Sequence, residues 1–208
     1  MLVKICGIKT LEAATAATES GADFLGLNFV PSSKRCISVE TAREIITGLR
    51  FEPRKAEDGH GARLVGVFQD QPLEFVNKTA DELGLDFVQL HGSESPEYCA
   101  QIKMPIIKAY GLDSDFDIAK VTEEMSKYRV TYYLLDRNGR EGESLNAKKV
   151  AELAKKFHII LAGGLTPENV STAIAVSGRI RVVDVAGGVE TNGEKDPQKI
   201  RRFISSAK

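Results

Sequence analysis

Eight short apolar runs alternate with segments of helical length along the 208 residues of this chain. The runs are LVKIC, DFLGLNF, RLVGVF, DFVQL, PIIKAY, TYYLLD, FHIILAGG and RVVDVAGG. Most are apolar at consecutive positions, the pattern of strands covered on both faces. Between them lie amphipathic segments such as LEAATAATES, SVETAREIITGL, PLEFVNKTADEL and AKKVAELAKKF. Strand followed by helix, repeated about eight times, calls for parallel strands with helical crossovers. Strand starts fall roughly 20–27 residues apart, which suits one βα unit each. One interval is longer. Its surplus is the charged stretch FEPRKAEDGHGA, residues 51–62, expected to be a solvated loop.

Eight such units close an α/β (β/α)8 TIM barrel, here a compact single domain over residues 1–208 with few insertions. The competing architecture is a doubly wound open sheet. That fold usually carries GxGxxG after its first strand, and the first turn here is CGIKT. No linker, low-complexity segment or second domain is visible. With 28 Lys and Arg against 29 Asp and Glu the net charge is -1, which argues against nucleic acid as a partner. No apolar run approaches the ~18 residues of a membrane span, and no signal peptide is apparent. The three cysteines are odd in number and widely spaced, so neither a disulfide framework nor a zinc site is expected. A reducing cytoplasm is the expected location.

A barrel of this kind does its chemistry at the C-terminal ends of its strands. Cys6, Arg35, His91, Asp136, Gly163, Gly164, Asp184, Gly187 and Gly188 all fall there. The two glycine pairs, in LAGGLTPENV and DVAGGVE, follow strands seven and eight, where barrels commonly hold a phosphate. Each pair could equally make only a tight turn. Thr166 and Pro167 are expected as the cap and first residue of the following helix. A thiol at Cys6, at a strand tip before a glycine, can accept a proton if it ionises near neutrality. Asp136 could cap a turn or supply an acid. Arg35 offers a fork for a carboxylate or is a solvated loop charge. His91 either lines the mouth or has no direct role. Cys99 is expected to pack on a helix and Cys36 to lie in a loop.

The motifs KICGIKT, SKRCIS, VGVF, VQLHGSE, LLD, LAGGLTPENV and DVAGGVE, in this order, resemble phosphoribosylanthranilate isomerase of tryptophan biosynthesis. The resemblance runs from about residue 3 to the last helix near Asp196. It implies a (β/α)8 barrel and conversion of N-(5-phosphoribosyl)anthranilate to 1-(o-carboxyphenylamino)-1-deoxyribulose 5-phosphate. That is an Amadori rearrangement, catalysed by an aldose–ketose isomerase with no metal or redox cofactor. The resemblance implies Cys6 as general base, Asp136 as general acid and Arg35 as the group holding the anthranilate carboxylate. Gly163, Gly164, Gly187 and Gly188 would hold the phosphate, and Asp184 would line the same pocket. Cys6 would then need a pKa near neutral and Asp136 a raised one. The implied partner is a small phosphosugar, with no nucleic acid or membrane, in a monomer or homodimer. Two departures stand out. The segment RNGREGESLN, residues 137–146, lacks the family's paired glycines, and Ala186 and Gly187 replace two serines of the last motif.

Overall fold

The computed structural model describes residues 1–51, 61–137 and 145–208. Most of the expected loops at 51–62 and 137–146 lie outside these residues. The elements alternate without exception through the barrel: β1 (Leu2–Cys6), α1 (Leu11–Glu19), β2 (Phe24–Asn28), α2 (Val39–Phe51), β3 (Arg63–Phe68), α3 (Leu73–Leu83), β4 (Phe87–Leu90) and α4 (Pro96–Cys99). There follow β5 (Ile106–Leu112), α5 (Ile118–Ser126), β6 (Tyr132–Arg137), α6 (Ala147–Leu153), β7 (Ile159–Leu161), α7 (Val170–Val176) and β8 (Val182–Val185). A hairpin of β9 (Glu190–Thr191) and β10 (Glu194–Lys195) precedes α8 (Pro197–Ala207). The eight strands close in sequence order, and the closing β1–β8 pair is parallel like the rest.

Alternation along each strand sorts side chains between two cores. Val3 and Ile5 of β1 join the large core between strands and helices. The opposite face fills the barrel. Phe24, Val65, Phe87, Ile107, Leu134, Ile160 and Val182 form its inner core, with Leu2 and Tyr132 packed against it. Phe24 meets Phe87 edge-on at 5.7 Å, and the Arg63 guanidinium stacks 4.0 Å over Phe24. Lys4 and Cys6 therefore face the interior above an apolar floor. Their register partners are informative: Lys4 lies opposite Asp184 on β8, and Cys6 opposite Gly26 on β2.

Helix starts follow local chemistry. Thr10, Ser95, Asp117, Asn146 and Asp196 each accept a backbone N–H from the first turn of the helix they cap. The expected start of α7 at Pro167 is corrected. Regular helix begins at Val170, because Thr166 and Asn169 first close a turn on each other: the Thr166 N–H donates to Asn169 Oδ1 at 2.8 Å. Thr166 still receives the Glu168 N–H on its hydroxyl and the Val170 N–H on its carbonyl, so its capping role survives one turn early. Cys99 is buried on α4, and Cys36 is exposed in the segment after β2.

Candidate active site

Cys6 ends β1 with its sulfur inside the barrel, and it is 8 % exposed. Gly26 makes that possible. A Cβ at position 26 would stand 2.8 Å from the Cys6 sulfur and 3.2 Å from Lys4 Nζ. The missing side chain leaves room for thiol and ammonium together. Lys4 is fully buried and pairs with Asp184 Oδ1 at 2.8 Å. Burial alone would depress the Lys4 ammonium, but Asp184 and Cys6 more than offset it, and its pKa is raised. Lys4 therefore stands as a cation under the thiol. For Cys6, burial outweighs the attraction of Lys4 and pushes the thiol up from its usual range. The near-neutral pKa that a resting base would need is thus not the one the protein alone produces. The sequence reading passed over Lys4, although a single charge inside LVKIC was the signal.

Asp136 faces inward from β6, three strands from β1 around the closed barrel. One of its oxygens accepts the Arg137 N–H at 2.8 Å. His91, just beyond β4, brings Nε2 to 3.8 Å from the other oxygen. Burial raises the Asp136 pKa against the lowering pull of His91 and Arg137. Burial also lowers that of His91, despite Asp136. The Gln89 side chain lies 3.2 Å from His91 Nδ1, and its Oε1 is buried without a partner among the described residues. Burial thus shifts both groups toward their uncharged forms, the direction an acid at the mouth requires.

Of the two readings of Arg35, the structure disfavours the solvated loop charge, since the side chain is 21 % exposed and paired. Its Nε and Nη2 grip the two oxygens of Glu190 at 2.5 and 3.0 Å. The side chain crosses directly over Gly7, where a Cβ would stand 2.3 Å from Arg35 Cδ. Gly7 also has a φ of 77°, so glycine is required there twice over. Arg35 is thus pinned beside the tip of β1, next to Cys6. Glu190 was missed because it lies 155 residues away in sequence.

The glycine loops after β7 and β8 touch. A Cβ on Gly188 would fall 1.9 Å from the Leu165 carbonyl oxygen, so only glycine permits this contact. Gly163 and Gly164 hold φ values of 84° and 72°. Their N–H groups donate to no protein acceptor among the described residues. The Arg137 guanidinium lies over Gly164, 3.2 Å from where its Cβ would be, so the charge next to this loop comes from β6. A Cβ on Gly187 would meet Arg35 Nη2 at 3.3 Å. The two loops therefore bridge the Arg35 and Asp136 sides of the mouth. Among the described residues no group of His, Cys, Asp or Glu is arranged to hold a metal ion, and no helix is long and apolar enough to cross a membrane.

Fold and site together define a (β/α)8-barrel protein with a thiol, a carboxyl and an arginine gathered at the C-terminal mouth of the strands. The model of the N-(5'-phosphoribosyl)anthranilate (PRA) isomerase family matches residues 3–206, and the chain belongs to that family. N-(5'-phosphoribosyl)anthranilate isomerase of Geobacter sp. (strain M21) is 42% identical over 212 residues, covering 99% of this chain and 97% of its own. The crystal structure of phosphoribosyl anthranilate isomerase from Thermotoga maritima superposes with a TM-score of 0.85 at 38% identity, covering 100% of this chain and 98% of that one. A phosphoribosyl anthranilate isomerase in complex with reduced 1-(o-carboxyphenylamino)-1-deoxyribulose 5-phosphate gives a TM-score of 0.83 at 37% identity, with coverages of 100% and 98%.

Proposed function

We propose that this barrel performs the PRA isomerase step of tryptophan synthesis with Cys6 as base and Asp136 as acid. N-(5-phosphoribosyl)anthranilate is the substrate and 1-(o-carboxyphenylamino)-1-deoxyribulose 5-phosphate the product. The observation that carries this reading is the pairing of an inward thiol on β1 with a carboxyl on β6 whose burial raises its pKa, in a chain of this family. Asp136 gives its proton to the furanose ring oxygen, and the C1–O bond breaks as the anilinic nitrogen forms an imine. A thiolate at Cys6 then removes the proton from C2, and the electron pair moves through C1 to the imine nitrogen. The resulting enol tautomerises to the ketone. The nitrogen serves as electron sink, so no metal or redox cofactor enters the reaction.

Lys4 supports the thiolate that this route needs. A fixed ammonium in a water-poor interior stabilises a neighbouring anion more than it does in solvent. Arg35 holds the anthranilate carboxylate, and the N–H groups near Gly163, Gly164, Gly187 and Gly188 hold the phosphate. Asp184 keeps Lys4 in place, and His91 lines the Asp136 side. One barrel domain, residues 1–208, then carries the whole reaction in the cytoplasm, as a monomer or homodimer. The test is an assay with freshly generated phosphoribosylanthranilate, comparing wild type with Asp136→Asn. Turnover in the first and a loss of about 10²–10⁴-fold in the second are expected. Equal turnover in both removes Asp136 from the reaction. An inactive wild type points instead to a barrel that binds without converting.

A further inference from the structure

The hairpin after the last glycine pair carries polar contacts that the reaction does not use. Its turn is Asn192–Gly193, both at positive φ (53° and 82°), the conformation of a tight two-residue hairpin turn. That turn fixes the register, and the register sets Lys195 directly opposite Glu190. Glu190 Oε1 accepts from Arg35 Nε at 2.5 Å and from Lys195 Nζ at 2.8 Å, and its Oε2 accepts from Arg35 Nη2 at 3.0 Å. Lys34 approaches Oε2 at 3.7 Å from the loop after β2, and Lys199 of α8 donates to the Glu190 carbonyl at 2.7 Å. The Glu190 side chain is only 7 % exposed. Lys195 also donates to the carbonyl of Ala186, the residue before Gly187, at 2.9 Å.

We propose that Glu190 is the positioning residue for Arg35: it takes one edge of the guanidinium while the aliphatic stem crosses Gly7, and leaves the remaining N–H groups to receive the carboxylate of the substrate. A guanidinium carries five N–H donors in a rigid plane, and Glu190 uses two. Lys195 backs Glu190 and is itself anchored on the Ala186 carbonyl. This inference rests on the reading of Arg35 as the group that binds the anthranilate carboxylate. The opposite role, a carboxylate that fills the fork until substrate displaces it, is disfavoured by the same contacts. Displacement would cost the buried Glu190 both hydrogen bonds from Arg35 and leave it to Lys195 and the more distant Lys34.

The experiment measures KM and kcat for phosphoribosylanthranilate, together with competitive inhibition by inorganic phosphate, in Glu190→Gln, Glu190→Asp and Arg35→Met. Glu190→Gln is expected to raise KM about tenfold while kcat stays within a few-fold, the signature of lost uniform binding. Glu190→Asp is expected to recover part of that loss. The phosphate inhibition constant should stay near wild type in both, because phosphate has no carboxylate end; a merely structural Glu190 would weaken both ligands together. A KM unchanged in Glu190→Gln but raised in Arg35→Met overturns the inference and leaves Arg35 as the carboxylate group. A KM unchanged in Arg35→Met overturns the reading beneath it. A lowered KM in Glu190→Gln makes Glu190 a competitor of substrate. Should Glu190→Gln fail to fold, Lys195→Met leaves the Arg35–Glu190 fork present but unbraced. A smaller KM rise is expected there, and an unchanged KM overturns the bracing by Lys195.

Discussion

Cys6 lies in the barrel interior beside the Lys4–Asp184 ion pair, and the fate of its proton depends on both partners. Burial works against the thiolate and Lys4 works for it. Cys6→Ser keeps the size of the side chain and replaces the thiol with a far weaker acid. Folding should be intact, with turnover down by about 10²–10⁴-fold in the isomerase assay. Lys4 can be tested without turnover at all. In a Cys36→Ser background, which removes the exposed thiol, the rate of Cys6 alkylation against pH reports its ionisation. Lys4→Met paired with Asp184→Asn removes the buried charges together, avoiding a lone buried carboxylate that would cost about 3–5 kcal/mol. The alkylation profile should move to higher pH in the double variant. An unmoved profile would show that the Lys4–Asp184 pair as a whole does nothing for the thiol, since Lys4 pulls its pKa down and Asp184 pushes it up. Asp136 makes the converse case. Its folded pKa is raised, so the folded state holds this proton more tightly than the unfolded chain does. Stability from this group falls as pH rises from the unfolded value of 3.8 through the folded one. Asp136→Asn, permanently neutral, should be inactive and melt no lower than wild type at neutral pH. Because the side chain is 35 % exposed, the gain is smaller than a fully buried carboxyl would give.

Strands and helices carry a different lesson, and the β9–β10 hairpin shows it best. Glu190 is held down at about 2: its burial is outweighed by the hydrogen bonds and charges of Arg35 and Lys195. Its contribution is complete above the unfolded value of 4.5 and is lost as pH falls from there toward about 2. Glu190→Gln should therefore flatten the acid limb of the stability curve over that interval, read by denaturant unfolding at stepped pH. A parallel curve would place the acid sensitivity elsewhere. The eight strands and the helices named from sequence were legible because each announces itself locally, by apolar runs covered on both faces or by a 3.6-residue stripe. Cys6 and Asp136 were legible as strand ends. Arg35's partner was not, since a contact across 155 residues leaves no local trace. The hairpin was in plain view as Asn192–Gly193 but two-residue strands have no periodicity to notice. Lys108 in PIIKAY is a similar case. It is 3 % exposed and pairs with Glu94 at 3.0 Å, two charges brought together only because the loop after β4 folds against the neighbouring strand β5. The start of α7 eluded Thr166 and Pro167 because Asn169 diverts the first turn.

At the scale of the whole barrel the question is how one small anion can act on the stability of a closed sheet. The loops after β7 and β8 are in backbone contact through Gly188 and Leu165, and β8 closes the barrel against β1. A phosphate held by both loops is therefore bound only by the closed form. A ligand that binds the folded state alone stabilises it by about 2.7 kcal/mol at a hundred times its Kd. In a chain of this length each kcal/mol is worth about 2–4 °C in Tm. Inorganic phosphate should accordingly raise the melting temperature in a saturable way, while chloride at equal ionic strength should not. The variant that tests the site must spare the backbone. Gly188→Val is unsuitable, since any Cβ there strikes the Leu165 carbonyl and would unfold the loop contact itself. Gly164→Ala is the better probe. Its Cβ points toward the Arg137 guanidinium at 3.2 Å, and its positive φ costs roughly 1 kcal/mol in the absence of ligand. The phosphate-dependent rise in Tm should shrink in that variant beyond its lower starting Tm. A rise of equal size in both proteins would mean that the anion sits away from the glycine pair, and that Gly163 and Gly164 serve only to turn the chain.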